Sequence, residues 1–274
     1  MITEGQVAHF KTFGFLILKQ VFSPEEMEAI TRDFDLLIDA NEKASFMRAE
    51  PSDDEKQVKH VVPFIEKSPQ LMKLAEDDRI YGTMERLLGP GFIWGGSEGQ
   101  DGRASADWHA DRPGVGELFF TRIKVHLYLD KTTEAIGALR VIPGSHRMPL
   151  HELLVTQLLK YYFKQSATED VPIASNALGV TGPEMPAFAL KSTPGDIVLF
   201  NQSLFHAVYG GTGKQRRYIA LKFAENPTTE KHIASLEKWT KYVFQPEEIF
   251  LNSERPRIRN MIEGVVGARD KNVN

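Results

Sequence analysis

Cysteine is absent from the 274 residues, which excludes disulfides, thiolate metal sites and a cysteine nucleophile. No apolar run approaches the roughly 20 residues needed to span a bilayer. The opening stretch Met1-Ile2-Thr3-Glu4-Gly5-Gln6 has neither a basic nor an apolar segment of the kind a signal peptide needs. We expect a soluble, cytoplasmic protein with no membrane partner. Basic blocks are also missing: 33 Lys and Arg stand against 37 Asp and Glu, a formal charge of −4. Nucleic acid is therefore not an expected partner. Repeats and low-complexity segments are absent too, and a monomer is the expectation.

What is present is a hydrophobic fraction of 42%, enough for one large core or two small ones. We read one domain over 1–274, with a helical N-terminal layer (1–91), a barrel core (92–225) and a helical C-terminal extension (226–274). Ser23-Pro24-Glu25-Glu26 starts a helix: a capping Ser, Pro at the first helical position and acids in the first turn. Its apolar stripe runs through Met27, Ile30, Phe34, Leu37 and Ile38. Ser68-Pro69 opens a second helix through Ala75, and a third spans Asp78 to Leu88 before Gly89-Pro90-Gly91. Residues 43–60 read as an irregular loop.

From Phe92 the character changes. Short β-rich runs at 92–97, 119–130, 138–142, 196–200, 205–209 and 217–224 alternate with Gly, Pro and Asp turns, the signature of a sandwich or barrel. An amphipathic helix or lid at 149–165 and a long insertion at 166–190 interrupt them. Helical spacing returns after Pro227, and the tail beyond Gly264 is expected to fray.

The chemistry centres on Trp108-His109-Ala110-Asp111-Arg112-Pro113. If 106–112 is extended, His109 and Asp111 leave the same face of a strand. As a three-residue pattern the pair also fits a surface His beside a turn Asp. A third ligand must come from elsewhere, and the best candidate is His206, after the strand that follows Pro194-Gly195-Asp196. Two His and one carboxylate with open positions suit a non-haem Fe(II) oxygenase.

Arg217 lies 11 residues beyond His206, past Gly210-Gly211-Thr212-Gly213. Alternation groups it with Ile219, Leu221 and Phe223, an apolar face we take as inward. A buried guanidinium there needs a carboxylate partner, which a dicarboxylate cosubstrate would supply. Arg216 falls on the other, solvated face. The strand at 119–130 has an apolar face (Ile123, Val125, Leu127, Leu129) and a polar one (Arg122, Lys124, His126, Tyr128). That polar face reads either as solvent-exposed or as the lumen of a ligand-binding barrel; the adjacent metal motif favours the lumen.

These pieces together resemble the phytanoyl-CoA dioxygenase-like family of Fe(II)/2-oxoglutarate-dependent oxygenases over roughly residues 1–225. The resemblance takes in Gly14-Phe15, Ser23-Pro24-Glu25-Glu26, Leu88-Gly89-Pro90, the His109/Asp111 pair and the run from Gly137 through Pro143-Gly144-Ser145-His146-Arg147. It closes with Gly195-Asp196, His206 and Arg217. It implies a mostly β fold, a double-stranded β-helix (a jelly-roll or cupin-like barrel) with flanking helices. It further implies that His109, Asp111 and His206 hold Fe(II), that Arg217 grips the far carboxylate of 2-oxoglutarate, and that Lys124 and His126 face this cosubstrate. His146 is read as a structural turn residue. Two positions depart from the family: Val208 replaces a hydroxyl two residues after the distal His, and Ile136 replaces the Asn before Gly137.

The implied enzyme is an iron- and 2-oxoglutarate-dependent dioxygenase (a hydroxylase) that uses O2, hydroxylates an aliphatic carbon of a small molecule, and releases succinate and CO2. Asp111 argues against halogenation, which needs a small residue there. Trp108, Arg112 and Arg103 are candidate substrate contacts, and Arg103, Arg112 and Lys124 point to an anionic substrate; read otherwise, they are three solvated cations. The competing function is a non-catalytic metal-bearing barrel that binds or senses a small molecule. A zinc hydrolase on the same ligands would lack a general base and leave Arg217 without a role.

Overall fold

A computed structural model describes residues 2–40, 58–102, 106–156, 184–209, 216–239 and 246–270. Helix α1 (Glu4–Phe13) is closed at its start by a reciprocal cap, in which Gln6 N–H donates to Thr3 Oγ1 and Thr3 N–H donates to the Gln6 side chain. It ends at Gly14, whose φ of +84° lies in the left-handed region that glycine enters at least cost. Strand β1 (Phe15–Leu18) follows, then α2 (Pro24–Ala40), which buries Met27, Phe34 and Ile38 as its spacing requires. The helix expected from Ser68 is a short 3-10 turn over Leu71–Ala75. Helix α3 (Asp78–Leu88) stands as expected.

Among the described residues, ten strands make two antiparallel sheets. The larger contains β1, β2 (Lys59–Val61), β3 (Ile93–Asp101), β5 (Arg122–Tyr128), β8 (Ile197–Asn201) and β10 (Tyr218–Ala224), in the order β1-β8-β5-β10-β3-β2. The smaller runs β4-β9-β6-β7, formed by Ala106–His109, His206–Val208, Arg140–Val141 and Phe188–Ala189. Strands β3, β5, β6, β8, β9 and β10 match the β-rich runs of the sequence, whereas β2 begins within the stretch 43–60 read as a loop and β7 lies within the expected insertion; the fold is the jelly-roll barrel with flanking helices. Residues 150–156 are helical. The rest of the expected lid and most of the insertion, like the Gly210–Gly213 hairpin, lie outside the described residues.

The large sheet has two buried faces. Ile123, Val125, Leu127, Ile219, Leu221 and Phe223 pack outward, against the helical layer of α2, α3 and the C-terminal segments. Each such side chain contributes about 1.5–3 kcal/mol on burial. The opposite face looks across the barrel to the small sheet, and it carries Lys124, His126, Tyr128, Tyr218 and Lys222. Registers Lys222↔Lys124, Ala220↔His126 and Tyr218↔Tyr128 put these residues on one surface. Its polar groups are therefore lumenal, not solvent-facing.

The C-terminal extension comprises α4 (Glu230–Trp239), α5 (Glu248–Leu251) and α6 (Pro256–Asp270). The tail expected to fray after Gly264 instead continues α6 to Asp270, because Val265 is fully buried in a cluster with Ile93 and Phe120. Among the described residues no helix is long and apolar enough to cross a membrane.

Candidate metal centre in the barrel

Strands β4 and β9 pair with His109 directly opposite His206, next to an irregularity in β4. The imidazole centroids are 4.3 Å apart. The strand ends at His109, so Asp111 lies just past it rather than on an extended 106–112 segment. Its carboxylate still reaches the pair, with Oδ1 3.8 Å from His206 Nε2. One ligand atom from each of His109, Asp111 and His206 lies within 4.8 Å of the others.

Both imidazoles are set up to coordinate through the same atom. His109 Nδ1 sits 2.7 Å from the Asp107 carbonyl, and His206 Nδ1 2.9 Å from that of Leu204. A carbonyl can only accept, so each Nδ1 carries the proton and each Nε2 presents a lone pair inward. Burial, then the neighbouring His109, lowers the His206 pKa to about 3, which keeps it neutral and ready to ligate. Burial alone would raise the Asp111 pKa, but Lys124, His206 and His109 together hold it well below the usual range. Two imidazoles and one carboxylate are the donor set that a divalent transition metal takes.

Lys124 faces the lumen as expected, although its partners are protein carboxylates: Nζ is 2.8 Å from Asp111 Oδ2 and 3.5 Å from Glu98 Oε1. Glu98 also meets Lys222 Nζ at 2.7 Å and His60 Nε2 at 3.7 Å. Glu98 was not anticipated, because the expected strand stopped at 97. Its alternation with Gln100 was the available signal. His126 also points inward. It stacks on Tyr218 at 4.7 Å, its Nδ1 lies 3.1 Å from Tyr128 Oη, and its Nε2 is buried without a partner. Burial, then Lys124, depresses its pKa well below that of a free imidazole.

The two arginines lie on the opposite faces from those expected. Arg217 points out of the barrel, where Nη2 is 2.8 Å from Asp130 Oδ1 and Nη1 is 3.0 Å from Asp35 Oδ1. Asp35 lines an open groove of about 770 Å³ on the outer surface with Pro24, Leu36 and Leu129, away from the metal ligands. Arg216 is the buried one, 4% exposed. It donates from Nη1 to the Gly137 carbonyl at 2.7 Å, lies 5.7 Å from the Tyr218 ring, and keeps an unpartnered Nε. The error was to equate the apolar face of β10 with the lumen. That face packs on the helical layer, and the lumen is lined by the polar face.

Trp108 is likewise not a cavity residue. With His109 inward, alternation turns Trp108 away, into a cluster with Ile142, Leu154, Phe205 and Met185. Arg112 is buried beside the site and donates to the Asp111 carbonyl at 2.7 Å. Arg103 lies outside the described residues. His146 is a packing residue, as expected from its turn: a Cβ added at Gly14 would come within 2.5 Å of its Nδ1.

The family model for phytanoyl-CoA dioxygenase (PhyH) matches residues 10–218. No curated protein is significantly similar in sequence. Several solved structures share the fold. HygX from Streptomyces hygroscopicus, crystallised with nickel and 2-oxoglutarate, is 18% identical with a TM-score of 0.62, over 84% of this chain and 89% of HygX. SnoK, a non-haem α-ketoglutarate-dependent carbocyclase from nogalamycin biosynthesis, is 16% identical with a TM-score of 0.62, over 86% of this chain and 91% of SnoK. EctD from S. alaskensis, solved without metal and with iron, is 22% identical; the metal-free form has a TM-score of 0.59 over 82% of this chain and 77% of EctD.

Proposed function

The chain belongs to the phytanoyl-CoA dioxygenase (PhyH) family, and from that premise we propose that it is an Fe(II)- and 2-oxoglutarate-dependent dioxygenase that hydroxylates an aliphatic carbon of a small molecule, releasing succinate and CO2. The observation that carries this reading is the convergence of His109, Asp111 and His206 within 4.8 Å. Both histidines are locked by carbonyl hydrogen bonds into the tautomer that presents Nε2. These residues fit Fe(II), which would be held by His109 Nε2, His206 Nε2 and Asp111 Oδ1. Bound iron and 2-oxoglutarate supply the oxidising chemistry, the protein binding, orientation and exclusion of water.

The cosubstrate's distant carboxylate falls to Arg216 rather than Arg217. Arg216 is buried on the lumenal side with an unused Nε, whereas the guanidinium of Arg217 is occupied by two aspartates. A guanidinium binds a carboxylate through two parallel hydrogen bonds. His126 supports the same end of the pocket, since its buried Nε2 has no partner among the described residues. Tyr218 braces His126 by stacking and is itself fixed by donating to Gln100 Oε1 at 2.9 Å. This wall stands in for the hydroxyl that Val208 replaces. Lys124 directs its charge to Asp111 and Glu98, so it does not support an anionic substrate.

The test is a two-step measurement. Titration of Fe(II) without oxygen should show one site, lost in His109→Ala and in His206→Ala. Succinate release should then be screened across small acids, acyl thioesters and natural-product scaffolds. Metal uptake with no succinate from any substrate would favour the binding or sensing module, and metal uptake unchanged in both variants would refute the ligand set.

A further inference from the structure

The lumen holds an alternating row of charges, Asp111–Lys124–Glu98–Lys222. Their side chains are 11–17% exposed, and the contacts are 2.8, 3.5 and 2.7 Å. Strand pairing fixes the row: Lys124 and Lys222 are direct partners across β5 and β10, and Glu98 lies opposite Ala220 on β3. The two oxygens of Asp111 have different neighbours. Oδ2 meets Lys124, whereas Oδ1 is the atom 3.8 Å from His206 Nε2. The lysine thus takes the oxygen that the histidines leave.

We infer that Lys124 is a positioning residue acting as a counter-cation, which holds Asp111 by Oδ2, leaves Oδ1 for a divalent cation and weakens that cation's binding by its own charge. This rests on the reading of His109, Asp111 and His206 as metal ligands. A buried carboxylate without a counter-charge is costly, and the cluster needs one before metal entry. Lys124 supplies it without blocking Oδ1. Glu98 offsets part of the lysine's charge from the other side, 3.5 Å from Nζ. The device works against metal affinity, since an ammonium close to a divalent ion repels it. A residue that only oriented a ligand would do the reverse and strengthen binding. The sign of one substitution therefore separates the two roles.

The experiment uses Co(II) alone as the probe, titrated calorimetrically into the metal-free full-length protein without 2-oxoglutarate. Lys124→Gln should bind Co(II) at least about tenfold more tightly than the unsubstituted protein, because one nearby positive charge is gone. Lys124→Arg, which keeps the charge, should stay within about threefold. Metal-free Lys124→Gln should melt at lower temperature than the unsubstituted protein, and saturating Co(II) should close most of that gap. A structural role alone would leave the gap equal with and without metal. Should Lys124→Gln fail to fold, Glu98→Gln carries the test with the opposite sign: the lysine's charge is then no longer offset by Glu98, and Co(II) binding weakens by about tenfold. Unchanged or weaker Co(II) binding in Lys124→Gln, or unchanged binding in Glu98→Gln, overturns the inference while leaving the ligand set intact. If the unsubstituted protein takes up no Co(II), the ligand set itself is wrong.

Discussion

Arg216→Met and Arg217→Met form a pair of opposite outcomes at adjacent positions. Arg216 is 4% exposed and, among the described residues, has the Gly137 carbonyl as its acceptor. A bidentate guanidinium–carboxylate contact contains two charge-assisted hydrogen bonds, each worth about 1.5–3 kcal/mol. Losing both should cost about 3–6 kcal/mol of cosubstrate binding, or roughly a 10²–10⁴-fold weaker Kd for 2-oxoglutarate. Arg217→Met should leave that Kd within about twofold and lower stability instead, by about 1–3 kcal/mol. The lower part of that range is expected, since Asp35 is 47% exposed and solvent replaces much of its contact. The assays are titration of 2-oxoglutarate into the Co(II)-loaded protein and thermal denaturation of the metal-free one. Loss of 2-oxoglutarate binding in Arg217→Met with normal binding in Arg216→Met would refute the face assignment of β10 and the pocket built on it.

Four further outcomes follow from other parts of the molecule. Asp111→Asn should abolish Fe(II) and Co(II) uptake at micromolar metal while the protein stays folded, checked by calorimetry beside circular dichroism. His146 has its pKa lowered to about 4, chiefly by burial. The unfolded chain protonates it below about 6.5 and the folded chain does not, so its share of stability is lost as pH falls from about 6.5 towards 4, by up to about 1.4 kcal/mol per pH unit; urea denaturation of His146→Gln against pH should show a correspondingly shallower slope. Gly14→Ala meets both the φ of +84° and the contact with His146, and should cost about 2 kcal/mol or more in urea. Arg122→Met removes from the buried Glu117 a guanidinium partner at 3.0 Å, a loss of about 3 kcal/mol in the same measurement.

The metal centre was legible because coordination chemistry restricts residue type more than position. Few arrangements of His and Asp in a cysteine-free chain can complete a metal site, and His109, Asp111 and His206 needed only to fall at neighbouring strand ends. Which arginine faces the pocket was a different kind of problem. Side-chain direction along a strand has period 2, so a one-residue error in parity inverts every assignment on it. Hydrophobicity could not set the parity of β10, since the sheet is buried on both faces: Ile219, Leu221 and Phe223 meet helices, while Tyr218, Ala220 and Lys222 meet the lumen. The parity was nevertheless recoverable. Once Lys124 and His126 on β5 are taken as lumenal, an antiparallel neighbour carrying Tyr218, Ala220 and Lys222 offers the matching polar row, and the inward arginine must then be Arg216. The same rule turns Trp108 away as soon as His109 is placed inside. Where a barrel is wrapped by helices, the face that looks most like a core is therefore the outer one, and polar alternation is the better guide to the lumen.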